Sequence, residues 1–112
     1  MTTAALPLQG VRVLDFSRVL AGPFCTMLLA DLGAEVIKVE EPARGDETRQ
    51  WGPPWAGEGE TALSAYYICA NRNKRSITLN LKISQAQMLA RRLAQKSQVV
   101  IENFKLGGMS AY

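Results

Sequence analysis

Carboxylates and amines are the side chains of this sequence best able to do chemistry. There is no histidine, and the two cysteines, Cys25 and Cys69, stand alone. With no CxxC pair and no histidine, neither a disulfide framework nor a metal site is expected, and both cysteines read as buried free thiols. Asp15 closes a short apolar run, Val11-Arg12-Val13-Leu14-Asp15-Phe16. A carboxylate there could act as a nucleophile, or could fix a loop or cap a helix, its commoner use. Arg72, Lys74 and Arg75 could clamp phosphates, or form a solvated face. Asn103 could read the polar edges of a ligand or bond a turn. Phe104 could stack on a flat ring or enter the core. Trp51 and Trp55 could sit on a flap over a ligand or anchor a surface excursion. The dinucleotide fingerprint GxGxxG and the phosphate loop GxxxxGK[ST] are both absent.

Alternating strand and helix patterns must position these residues. Residues 11–16 read as a strand. Gly22-Pro23 then opens a helix, with Pro23 at its first position, where a missing N–H costs nothing. Phe24 to Leu32 is apolar on nearly every side and reads as a buried helix. Gly33 falls where a left-handed C-cap belongs. Residues 35–40 read as a second strand, completing a βαβ unit. The stretch 41–62 is rich in glycine and proline and reads as a long irregular excursion. Leu63 to Cys69 fits a short helix, and residues 71–75 a basic turn. Residues 76–81 alternate as a third strand. Ser84 and Gln87 form a capping-box pattern before an apolar stripe of Ala86, Leu89, Ala90 and Leu93, which predicts a helix over 84–95. Residues 98–102 supply a fourth strand and a second βαβ unit. The expected fold is therefore α/β, an open and mostly parallel sheet. In such sheets ligands bind beyond the carboxyl ends of the strands. That rule selects Ser17–Ala21, Glu40-Glu41 and Glu102-Asn103-Phe104.

The 112 residues suffice for one small domain with a core. The net charge of +3 conceals an asymmetry. Residues 1–60 carry 5 basic and 9 acidic side chains, residues 61–112 carry 8 basic and 1 acidic. A basic second half implies an anionic partner: nucleic acid, a phosphorylated cofactor, or the acidic first half itself. Aromatic residues do not interleave with the basic ones, which counts against a nucleic-acid-binding module. The start lacks a basic region and a sustained apolar run, and Val19 to Ala30 is too short to span a bilayer. A cytoplasmic protein is expected. The run from Phe104 to Tyr112 reads as a loop leading onward, so the chain is expected to be a fragment.

Several blocks, taken in order, resemble class III (CaiB/BaiF-type) CoA-transferases. They are Pro7-Leu8-Gln9-Gly10-Val11-Arg12-Val13-Leu14-Asp15, Arg18-Val19-Leu20-Ala21-Gly22-Pro23, Leu29 to Glu40, Asn71-Arg72-Asn73-Lys74-Arg75-Ser76 and Glu102-Asn103-Phe104. The resemblance implies the N-terminal part of a Rossmann-like large domain, spanning 1–112, in an interlocked homodimer. It implies transfer of CoA from an acyl-CoA to a carboxylic acid, with no tightly bound cofactor. An aspartate attacks the thioester to give a mixed anhydride, then an enzyme-bound CoA thioester, and CoA passes to a second acid. That aspartate is expected beyond Tyr112, so none of Asp15, Asp31 or Asp46 inherits the role. The positions that match the family's CoA contacts are Val19, Leu20, Ala21, Leu79, Asn80, Leu81, Lys82, Asn103, Phe104 and Lys105. Glu41 and Ala111 stand where relatives often carry arginine, and Leu20 replaces the glutamine of formyl-CoA-type enzymes. The 19–23 loop, Trp51-Gly52-Pro53-Pro54 and Asn71-Arg72-Asn73-Lys74 resemble the succinyl-CoA:glutarate subgroup, which implies a dicarboxylic acceptor. The competing readings are an α-methylacyl-CoA racemase of the same superfamily and, more distantly, an NAD(P)-binding oxidoreductase with Glu40 on the ribose.

Overall fold

The computed structural model describes residues 4–112. Its centre is a four-stranded, wholly parallel sheet of β1 (Arg12–Asp15), β2 (Glu35–Glu40), β5 (Lys74–Thr78) and β6 (Val99–Ile101), in the order β5-β2-β1-β6. Helix α1 (Ala21–Asp31) joins β1 to its neighbour β2. Helix α3 (Ser84–Gln95) carries the chain from one edge strand, β5, to the other, β6. The direction of winding therefore reverses beside β1, which places a topological switch point between the carboxyl ends of β1 and β6.

The two sheet faces have different chemistry. Val13 and Val36 pack with Ala30 and Ala34 on the α1 side. Leu14, Phe16 and Val39 pack with Ala90 on the α3 side, joined by Ile77, Leu79 and Phe104. The α3 side is apolar along its length. The α1 side turns polar toward the carboxyl ends, where Asp15, Lys38 and Glu40 are all buried.

Helix α1 ends as the glycine predicts. Gly33 has φ +103°, its N–H bonds Ala30 O at 2.9 Å, and the Ala34 N–H bonds Leu29 O at 3.0 Å. This is a Schellman cap. Pro23 falls third in the helix rather than first, still within the turn whose N–H groups have no intrahelical partner.

The structure corrects several expectations. Helix α1 is buried on one side only: Leu20, Phe24, Leu28 and Leu32, spaced four apart, are 45–48 % exposed because no described element covers that stripe. Cys25 and Cys69 are both exposed, not buried. The Ser84–Gln87 capping box does not form. Ile83 occupies the N-cap, and the Gln87 amide instead donates to Leu81 O at 2.8 Å. The third strand runs over 74–78 rather than 76–81, because Asn80 turns the chain: its side chain accepts from Lys82 N and its carbonyl from Ile83 N. The 41–62 excursion is ordered. It holds a 3₁₀ turn at Glu47–Gln50, then β3 (Trp55–Ala56), which pairs antiparallel with β4 (Leu63–Ser64) ahead of α2 (Ala65–Asn71).

Candidate functional site

A cleft of about 400 Å³ opens at the carboxyl ends of the strands. Its apolar wall comes from the α3 side, with Phe16, Leu79, Leu81 and Phe104, and Tyr112 closes it edge-on to Phe104 at 6.1 Å between ring centroids. Arg18, Lys82 and Lys105 add positive charge at the rim, with Glu41 opposing them. The Arg18 guanidinium lies 6.0 Å from the centroid of the Phe104 ring. Aromatic faces beside mobile cations suit a flat heterocycle carrying phosphates.

The expected site residues distribute unevenly around this cleft. Leu79, Asn80, Leu81, Lys82, Phe104 and Lys105 line it. Val19, Leu20, Ala21 and Asn103 do not line it and stand at the neighbouring switch point. The Asn103 amide is engaged there: it accepts from Arg18 N at 2.9 Å and donates to Arg18 O at 2.7 Å. It thus fastens the loop after β1 to the loop after β6. Phe104 takes both of its readings, half-buried against the α3-side core and facing the cleft. Phe16 and Tyr112 were not singled out by sequence. Phe16 reads as a strand residue, and Tyr112 lies in a segment without periodicity.

Three polar clusters support the cleft from the α1 side. Asp15 is fully buried and accepts from Ser17 N at 2.8 Å, from the Ser17 and Thr26 hydroxyls, and from Lys74 Nζ at 3.2 Å. It is saturated by donors and fixes the loop that follows β1. Lys74 also donates to Pro23 O and Asn71 Oδ1. Burial pulls its ammonium down to about 8, against the opposing pull of Asp15.

Lys38 and Asp46 form the second cluster, an ion pair at 2.9 Å whose side chains are 1 % and 0 % exposed. Lys38 Nζ also donates to Ser17 O at 2.9 Å. Asp46 accepts from Thr48 N and Oγ1 at 3.0 and 2.8 Å, and from Val19 N at 3.3 and 3.4 Å. Burial raises the Asp46 carboxyl, but the bonds from Lys38 and Thr48 outweigh it and hold it below its usual range. Glu40 anchors the third cluster. It accepts from Arg49 at 2.8 and 2.6 Å, from Asp46 N at 2.7 Å, from Tyr67 Oη and from Ser76 Oγ. Burial pushes its carboxyl up, yet these donors prevail and hold it at about 2. Glu40 is therefore fully employed by the fold.

The basic residues 72–75 do not clamp the cleft. Arg72 pairs with Asp31 at 2.6 Å, Lys74 with Asp15, and Arg75 with Glu35 at 3.2 Å. Each pair joins the basic half of the sequence to the acidic half, so much of the charge asymmetry is internal complementarity. Trp51 and Trp55 are also away from the cleft. Trp51 stacks edge-on against Tyr66 at 5.0 Å, and the Trp55 ring covers Gly52 so closely that a Cβ there would lie 2.1 Å from it. Trp51 packs the excursion onto α2, and Trp55 folds back over the excursion itself. Among the described residues no cluster of side chains could hold a metal ion, and no helix is long and apolar enough to cross a membrane.

Comparison with known proteins agrees with the fold. The chain is 52 % identical over 108 residues to a succinate–glutarate CoA-transferase of Agrobacterium fabrum, covering 95 % of this chain and 27 % of that protein. It is 52 % identical over 105 residues to the human succinyl-CoA:glutarate CoA-transferase, covering 94 % of this chain and 23 % of that protein. A solved CaiB/BaiF family protein from Brucella suis superposes with a TM-score of 0.90 at 48 % identity, covering 97 % of this chain and 29 % of that one. The chain thus spans about a quarter of the length of these relatives. The profile of CoA-transferase family III matches residues 8–112, and the chain belongs to that family.

Proposed function

We propose that this chain is the coenzyme-A-binding portion of an enzyme that moves CoA from an acyl-CoA donor to a dicarboxylic acid. The observation that carries the reading is the cleft at the strand ends. It joins aromatic and aliphatic walls for a flat base to Arg18, Lys82 and Lys105 for phosphates, on the fold of family III. Relatives named for succinate, glutarate and mesaconate support a dicarboxylic acceptor.

In this reading the chain's own residues bind and orient the CoA moiety. Phe104 and Tyr112 offer faces and edges to the adenine, and Lys82 and Lys105 act as point charges. The loop 17–21 stands where the pantetheine arm would leave the cleft toward the reacting thioester. The reacting carboxylate belongs to an aspartate outside these residues. It displaces the thiolate from the donor to form an anhydride, and the thiolate then attacks the aspartyl carbonyl, releasing the donor acid and leaving an aspartyl-CoA thioester. The acceptor carboxylate reverses these two steps to leave with CoA. Asp15 and Asp46, buried and saturated, keep structural roles. The whole enzyme is read as an interlocked homodimer in the cytoplasm.

The test is transfer by the full-length polypeptide from succinyl-CoA to glutarate, followed by the appearance of glutaryl-CoA. Turnover that transfers no CoA but racemises a 2-methylacyl-CoA would replace this reading with that of the racemases.

A further inference from the structure

Val19 has φ +71°, the left-handed region that a branched side chain rarely occupies. Such strain persists only where the surroundings over-determine it. Here three side chains, from β2, from the loop that follows it and from the loop after β6, grip three consecutive residues. Lys38 Nζ holds Ser17 O, Asn103 brackets Arg18 N and O, and the Asp46 carboxylate receives the Val19 N–H. Gly22 closes the loop from the other side, approaching Ser17 so nearly that a Cβ would lie 2.2 Å from its Cβ. A buried ion pair contributes little net stability compared with apolar residues of like size. Stability alone therefore does not account for a fully buried Lys38–Asp46 pair between β2 and the loop that follows it. What the pair does, and an apolar pair would not, is tie Ser17 O to the Val19 N–H.

We propose that Lys38 and Asp46 are positioning residues that hold the Ser17–Ala21 loop in its strained form, so that its backbone is preset beside the bound acyl-CoA. The activity arm of the test rests on the CoA-transfer reading, and the exchange arm does not. Asp46→Asn places an amide against the Lys38 ammonium and weakens the grip. In the full-length protein it is expected to speed amide exchange over residues 18–22 by roughly tenfold, with β2 and residues 24–31 of α1 unchanged. It should lower kcat roughly tenfold and move KM for succinyl-CoA by less than about threefold. In the Val19→Gly background, where left-handed φ is free, the same substitution should cost less than about threefold in kcat, with no matching recovery in Tm. If Asp46→Asn does not fold, Lys38→Met combined with Asp46→Val removes both charges and takes its place.

Unchanged exchange over 18–22 overturns the proposal, as does a kcat loss that is equal in both backgrounds. A crystal structure of the unmodified protein with Val19 at negative φ overturns it whatever the variants do. A wild-type protein that transfers no CoA refutes the functional reading instead, and the exchange arm still decides the clamp.

Discussion

Asn103 and Arg18 lie 85 residues apart in sequence, yet one side-chain amide satisfies both the N–H and the C=O of the other residue's backbone, at 2.9 and 2.7 Å. This bracket crosses the topological switch point and joins the loop after β1 to the loop after β6. Asn103→Ala should lower unfolding free energy by about 1 kcal/mol, the low end for two hydrogen bonds because water reaches both groups. Asn103→Asp keeps the acceptor and loses the donor, so an intermediate loss is expected. Urea denaturation of the two variants checks this, and equal stability of Asn103→Ala and the parent would contradict it.

Gly22 tests the tight approach beneath the same loop. In a free helix, alanine in place of glycine gains about 1 kcal/mol. Here the new Cβ would meet Ser17 Cβ at 2.2 Å, and Ser17 is held by Asp15. Overpacking typically costs about 1–3 kcal/mol, so the clash should win. Thermal unfolding of Gly22→Ala should show a lower Tm, and a higher Tm would show that the loop yields.

Much of the fold was legible in sequence, for identifiable reasons. Residues 35–40 form a strand at the stated bounds, and Gly33 caps α1, because β-branched runs and a lone glycine act locally. The start of β5 was hidden. Lys74 and Arg75 read as a turn until Asp15 and Glu35 supply their counter-charges from distant segments. The exposed stripe of α1 and the exposed thiols could not be read from local pattern, since burial depends on which layers lie above. At the site, the strand-end rule selected Glu40-Glu41 and Phe104, which line the cleft, and Ser17–Ala21, of which only Arg18 lines it. It missed Phe16, Tyr112 and the Lys38–Asp46 pair. One signal for that pair was present: a lysine within Val36-Ile37-Lys38-Val39, in a central parallel strand covered on both faces, must find a buried partner.

Acid stability should report on Glu40. Its folded carboxyl sits near 2 against an ordinary 4.5, so its contribution is fully present above about pH 4.5 and is lost as pH falls toward 2. Asp46, also held low, acts in the same direction. Glu40→Gln should destabilise the protein at neutral pH by about 2 kcal/mol, a value discounted because Arg49 is partly solvent-screened. It should also flatten the stability curve between pH 4.5 and 2. Denaturation midpoints across that range decide the matter, and parallel curves would remove Glu40 from the acid response.

The two kinds of cleft contact should separate by salt. Lys82→Ala loses a charge-assisted bond, about 1.5–3 kcal/mol or roughly ten- to a hundredfold in CoA affinity, and leaves the remaining binding less salt-sensitive. Phe104→Ala should weaken CoA with little change in salt dependence, since its contact is apolar. Calorimetric titration at two ionic strengths, on variants shown to be folded, distinguishes them. Unchanged affinity in both would take these residues out of the site.

Where CoA lies on this chain is best decided by hydrogen exchange of the full-length protein with and without saturating CoA. Protection is expected at residues 79–82 and 104–105, which line the strand-end cleft, and not at Trp51, which packs against Tyr66 of α2, or at Trp55, which covers Gly52. Protection confined to 50–55 and 65–69, or none anywhere in residues 4–112, would contradict a coenzyme-A site at the carboxyl ends of the sheet.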